Sequence, residues 1–204
     1  ITDSRDPFAL TFSVPLLLNN WPPENEVVGM TANDTRGVTG LRSVYGTLLA
    51  WTNDGTYRIL GDANTGFSLL TESGSNGAWC NQAIQDTDGR VVWLGPDGVF
   101  AWGHSAYGAA GSSLYGAPTN LSRPVSEEPG ADPSGIQNTI ARINPLAADG
   151  IVSDYNPTLK LVRWFVPVDG SPWNNFVIAW SAQTGAFTFG TCDAVTSATS
   201  VIGP

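Results

Sequence analysis

The chain has 204 residues, of which 42% are hydrophobic, 10% aromatic and 13% charged, with a formal net charge of -9. Eight tryptophans exclude a disordered chain, since such chains are poor in aromatics. The acidic balance excludes a basic nucleic-acid footprint and opposes docking on anionic lipid, and no run nears the roughly 18 apolar residues of a membrane span.

In chain order, the opening FALTFSV reads as a strand of an early, incomplete unit. Its continuation through PLLLNNW is too short for a span, carries Pro15 and lacks the basic start of a signal peptide. The chain begins at Ile1, which predicts a processed product or a piece of something longer. Residues 37–75 then read as four strands: GVTGLRSVYG, TLLAWTNDG, TYRILGD and FSLLTES. The middle two meet at Asp54-Gly55, a hairpin signal because both residues tolerate the bend. Tyr57 and Ile59 follow Gly55 by two and four residues and share one strand face, with Thr56 and Arg58 on the other.

The next unit repeats this. AWCNQAIQDTDG leads into RVVWLGPDG and VFAWG, with a turn at Asp97-Gly98 and with Phe100 and Trp102 at the same offsets. Pro96 suits the turn and would not suit a central strand. A third copy, AWSAQTGAFTFG, places Phe187 and Phe189 after Gly185. Trp51, Trp93 and Trp180 each stand four or five residues before their glycines, at intervals of 42 and then 87 residues. A hairpin period of about 40–45 residues is the size of a four-stranded propeller blade. A sandwich has no reason to return one hairpin at a fixed interval.

Between the second and third copies, residues 104–135 are rich in Gly, Ser and Pro and read as an exposed loop that touches another subunit. Ile136, Ile140, Ile143 and Leu146 follow on one helical face, with start signals at Asp132-Pro133-Ser134 and a stop at Pro145. Four more strands follow: GIVSDYN, KLVRWFVPV, NFVIAWSA and AFTFG. The predicted fold is all-β: a β-propeller of four-stranded antiparallel blades over residues 1–204, with an inserted loop and short helix at 104–146. At about 43 residues per blade, the chain holds three to four blades once the insertion is set aside, so a partial propeller of a longer chain is expected.

The search for chemistry assigns no catalytic, cofactor-binding or metal-ligating residue, and a non-enzyme is expected. His104 is the sole histidine and has no zinc-like spacing with Cys80 and Cys192, which are expected to be buried free thiols. Asp54, Asp97 and Asp169 each precede a glycine, and turn chemistry accounts for them. TNDGTY superficially resembles the Asp-box of sialidase-type propellers, but that motif separates Asp from Gly by one residue and here they adjoin. Glu127-Glu128 reads as a solvated pair, GAAGSSLYG lacks the strand, helix and lysine of a phosphate cradle, and the sequons at Asn33 and Asn120 read as chance matches. The periodic aromatics read as blade core rather than as a carbohydrate platform. Trp21, beside Pro22-Pro23, and Trp173, after Pro172, fall outside the period and are the candidate contact residues.

The order of these segments resembles the propeller-type structural proteins of tailed-bacteriophage virions, especially those of tail and head-to-tail assemblies. Four stretches carry the likeness: DPFALTFSVPLLLNNWPPEN, VTGLRSVYGTLLAWTNDGTYRILGD, GRVVWLGPDGVFAWGH with LSRPV, and SDYNPTLKLVRWFVPVDG with NNFVIAWSAQTGAFTFG. The resemblance implies a non-enzymatic virion protein in a nozzle, tube-associated, adaptor or fibre-linked position. Its partners would be other virion proteins and symmetric copies of itself, with DNA only as passing cargo and no membrane. The alternative expectation is a secreted β-propeller that binds or cleaves glycans.

Overall fold

A computed structural model describes residues 2–3, 6–11, 26–27, 37–44, 46–62, 66–73, 75–103, 118–123 and 135–197. The chain is all-β. Strands β1 (Thr2–Asp3), β2 (Asp6–Thr11) and β3 (Glu26–Val27) make a first, three-stranded sheet. Strands β4 (Val38–Val44), β5 (Thr47–Thr52), β6 (Thr56–Asp62) and β7 (Gly66–Ser73) make the second. The third holds β8 (Ile84–Thr87), β9 (Arg90–Gly95), β10 (Gly98–Gly103) and β11 (Thr119–Asn120). The fourth holds β12 (Val152–Asn156), β13 (Leu161–Val166), β14 (Asn174–Ser181) and β15 (Phe187–Val195). In each four-stranded sheet, sequential strands pair antiparallel, so each is a meander that runs from its first strand to its fourth.

Apolar residues alternate along the strands, so each inner sheet offers an apolar surface to both neighbours. Three clusters result, one at each sheet–sheet junction. Leu10 of the first sheet joins Ala50, Tyr57 and Ile59 of the second. Leu49 and Trp51 of the second join Val91, Trp93, Phe100 and Trp102 of the third. Val92, Leu94, Val99 and Ala101, from the other face of the third, join Val162, Trp164, Val166, Ile178 and Trp180 of the fourth. The middle cluster is aromatic: Trp51 meets Trp93 edge-on with centroids 5.3 Å apart, and Trp93 stacks on Phe100 at 5.9 Å. Such pairs add about 0.5–1.5 kcal/mol each beyond the area they bury.

Three sequence expectations are corrected. First, Tyr57 and Ile59 are buried, but on the opposite face from Trp51, since Trp51 pairs with Thr56 and Ala50 with Tyr57. In the third sheet Trp93 pairs with Phe100 and Val91 with Trp102, so Phe100 and Trp102 share the face of Trp93. Both hairpins close on the same two-residue loop, with Thr52 facing Gly55 and Gly95 facing Gly98, so Trp51, four residues before its glycine, and Trp93, five before its own, stand on successive positions and point to opposite faces.

Second, the hairpin around Gly185 (φ 72) joins the third and fourth strands of its sheet rather than the second and third. The true counterpart is β13–β14, where Trp164 pairs with Ile178 and Val162 with Trp180. Its turn is Asp169-Gly170, with φ of 56° and 76°. Trp180 is therefore core in the role of Trp102. Phe187 and Phe189 lie on an edge strand, the former half-buried and the latter 37% exposed.

Third, the insertion is not wholly set aside from the fold. Thr119–Asn120 pairs with Phe100 and Ala101 and completes the third sheet. The helix α1 (Ile136–Ala141) packs Ile136 and Ile140 into the cluster between the third and fourth sheets, and Ile143 follows them. Leu146 lies beyond Pro145 in a turn and is 90% exposed. Residues 104–117 and 124–134, with His104, Glu127-Glu128 and the helix start signals, lie outside the described residues, as do Trp21 and Asn33.

Candidate functional site

Two features recur where one sheet gives way to the next. The first is a polar seam between first strands. From β4, Arg42 donates to Asn81 Oδ1 (2.6 Å) and to the carbonyls of Asn81 (2.9 Å) and Ile84 (3.3 Å). From β8, Gln85 donates to the Ser153 carbonyl (2.9 Å) and hydroxyl (3.0 Å) of β12, and that hydroxyl donates to the Gln82 carbonyl. Further along the β8–β12 junction, Tyr155 (2.9 Å) and Lys160 both donate to Asp88. The Lys160 and Tyr155 donors hold the Asp88 carboxyl below its ordinary value. Burial and the bond to Asp88 push the Tyr155 phenol up. Arg90 is buried beside this group, 4.6 Å from the Trp180 ring, a cation–π contact that offsets part of its desolvation.

The second feature is the path of the connections. The segment from the second sheet to the third crosses the central turns of both, as Ala78 N–H donates to Thr52 (3.0 Å) and Trp79 N–H to Leu94 (3.2 Å). A Cβ at Gly77 would fall on the Asn53 carbonyl and one at Gly95 on the Gly77 carbonyl, so glycine alone allows this approach. The segment from the third sheet to the fourth does the same. Leu121 N–H donates to Val99 (2.8 Å), Ser122 Oγ accepts from Val99 N–H (3.1 Å), and Asn144 N–H donates to Pro167 (2.8 Å). Asn120 and Ser122, both of one sequon, bond each other in this joint at 2.7 Å.

At this turn-bearing end lies a cleft of about 530 Å³, lined by Val38, Thr39, Trp79, Cys80 and Asp149. That volume is within the ordinary range of ligand pockets, about 300–1,000 Å³. Burial, aided by Asp149, pushes the Cys80 thiol above its ordinary value against two opposing backbone hydrogen bonds, and it donates weakly to the Ile151 carbonyl at 3.4 Å. A thiol held protonated is a poor nucleophile. Cys80 and Cys192 are free thiols, each half-buried rather than fully buried. Among the described residues no group of three His, Cys, Asp or Glu is placed to hold a metal ion.

Two neighbouring turns each carry an exposed apolar side chain, Trp173 at 58% and Leu146 at 90%. Asn144 Nδ2 donates to the Ser171 carbonyl (2.9 Å) and Ser171 Oγ to the Trp173 carbonyl (2.7 Å). Asn174 Nδ2 donates to the Gly150 carbonyl (2.7 Å), which ties Trp173 to the segment that holds Asp149. Arg142 Nε donates to Asp169 at 2.9 Å, and this contact holds the Asp169 carboxyl below its ordinary value.

The periodic tryptophans and Phe100 are thus core, Asp54 and Asp97 are exposed turn residues, Gly98 has φ 156°, and Trp173 is exposed. The sequence reading left out Trp164, whose ring is fully buried and whose indole N–H donates to the Ala83 carbonyl (2.9 Å). Its signal was present: Trp164 stands five residues before Asp169, much as Trp93 precedes Asp97. The seam residues Arg42, Asn81, Gln85 and Ser153 carry no local motif. No protein-family model matches the chain, and no curated protein matches it.

Proposed function

We propose that the chain is a structural component of a tailed-bacteriophage virion, its sheets successive blades of a partial β-propeller in a tail, nozzle or adaptor region. One observation carries this reading: the joint between sheets recurs. Each meander hands over to the next through a connection bonded to the central turns of both, while first strand meets first strand across a polar seam. A radial series of blades calls for such a repeated joint.

In this reading the shared aromatic clusters make a stiff body, and its turns and loops dock on other virion proteins and on copies of the chain. The net charge of -9 suits a wall past which DNA moves as cargo, since it offers phosphate no neutralising surface. The test is mass spectrometry of purified particles with electron microscopy of the labelled protein. Many symmetric copies at the tail or head-to-tail junction are expected, and absence from intact particles would overturn the reading.

The second reading, a secreted glycan-binding propeller or glycosidase, is favoured by exposed Trp173 near a cleft that contains Asp149. A glycan array and a hydrolase screen separate the two, with Trp173→Ala as the control that a genuine sugar platform would not survive.

A further inference from the structure

We propose that the junction between the third and fourth sheets holds a binding site for a small carboxylate anion, built on the guanidinium of Arg90 and the indole N–H of Trp180. The site is a property of the isolated chain and stands apart from the virion reading.

It begins with a charge that lacks a counter-charge. Arg90 lies on the face of β9 that meets the fourth sheet and is only 6% exposed. Burial lowers its pKa, yet an arginine side chain stays protonated. A guanidinium carries five N–H donors, and none of those of Arg90 reaches an acceptor among the described residues. Its contact is the ring face of Trp180, 4.6 Å away, which offsets part of the lost hydration and supplies no acceptor oxygen. Arg58, Arg142 and Arg163, by contrast, each have a carboxylate.

The neighbouring ions leave that charge unmatched. Asp88 is the carboxylate at this end of the junction, and Tyr155 and Lys160 both donate to it. Lys160 neutralises Asp88, so the charge of Arg90 is left over.

A second donor stands beside the first. Trp180 is 2% exposed, and its indole N–H has no hydrogen-bond partner among the described residues. The buried indoles of Trp93 and Trp164 donate instead to the carbonyls of Asn76 and Ala83. The unpaired indole N–H groups of Trp51 and Trp102 are sealed from solvent, whereas the donors of Arg90 and Trp180 keep a remnant of access. Across the ladder from Arg90 stands Gly103, so β10 sets no side chain beside it.

This pair of donors selects the ligand. A buried cation without a partner is costly, and an anion that brings its own acceptors relieves it. A carboxylate carries two acceptor oxygens in one plane, which suits a guanidinium edge and one further N–H. The narrow access suits a small free anion rather than a side chain on a folded partner.

The experiment titrates the whole chain with sodium formate, at an ionic strength held constant with sodium fluoride. Nitrogen–proton correlation NMR follows the indole resonances, and circular dichroism checks the fold of each variant. The Trp180 resonance, identified by its loss in Trp180→Phe, is expected to move saturably, and the thermal midpoint to rise with it. Arg90→Met keeps an apolar stem over the ring and removes the charge, so its Trp180 resonance should not respond. In fluoride alone this variant should melt no lower than the wild type, because no ion pair is broken. Arg142→Met removes a paired arginine elsewhere and should respond as the wild type does. Trp180→Phe keeps a ring face without the donor and should weaken formate about tenfold, read from the midpoint. Inorganic phosphate, tetrahedral and bulkier, should compete weakly. A Trp180 resonance that stays fixed in the wild type, an Arg90→Met chain that responds as the wild type does, or phosphate that binds more tightly than formate would each overturn the proposal.

Discussion

Trp164 and Phe189 show what decides a residue's role here. Both are aromatic and both lie on the fourth-sheet face that meets the third sheet. Trp164 sits in an inner strand with its ring fully buried, whereas Phe189 sits in the edge strand, 37% exposed. Trp164→Ala is expected to cost about 3–5 kcal/mol, from lost transfer energy and the cavity left behind. Phe189→Ala is expected to cost under about 1 kcal/mol. Urea unfolding of both variants checks the contrast, and equal losses would contradict the assigned strand positions. The sequence pattern ranked Phe189 with the core because offset from a glycine cannot tell an inner strand from an outer one. That distinction depends on pairing partners far away in the chain.

Most strands were legible. TYRILGD corresponds to β6 to the residue, and the four strands expected after the insertion are all present. Alternation and turn residues are local signals, and they suffice for a meander whose strands pair in sequence. The two-residue β11 was not legible, because Thr119–Asn120 carries no apolar alternation. Exposed Trp173 was legible as an aromatic outside the period. The cleft was not, since its walls come from three separated segments.

Contacts between elements also set the pH response. Asp88 joins the β8–β9 turn to Tyr155 and Lys160, and its folded carboxyl titrates below its unfolded value of about 3.9. This contribution is present above about pH 4 and is lost as pH falls through the folded value. Tyr155 shifts the other way, so its share is present below about pH 10 and fades above it. Asp88→Asn should therefore lower the thermal midpoint modestly between about pH 5 and 9, with the gap to wild type closing in acid. A gap that widens in acid would rule out the Asp88 anion as the partner that matters.

For the molecule as a whole, the clusters belong to junctions and not to single sheets. The third sheet is covered on both sides, and every residue of β9 and β10 is buried. The fourth strands β7 and β15 are largely exposed. Opening β9 or β10 means parting two clusters at once. Hydrogen exchange should be slowest there, with amides of Val92, Leu94 and Trp102 protected at least about a hundredfold more than those of β7 and β15. Uniform protection across all four strands of a sheet would instead mean that sheets open as independent units.

The β5–β6 and β9–β10 hairpins turn on loops of equal length, Thr52 facing Gly55 and Gly95 facing Gly98, yet their tryptophans stand on successive positions of the strand and not on matching ones. One place along a strand reverses the direction of a side chain. Trp51 therefore looks forward to the third sheet and Trp93 back to the second, and a single aromatic junction receives the largest ring of both.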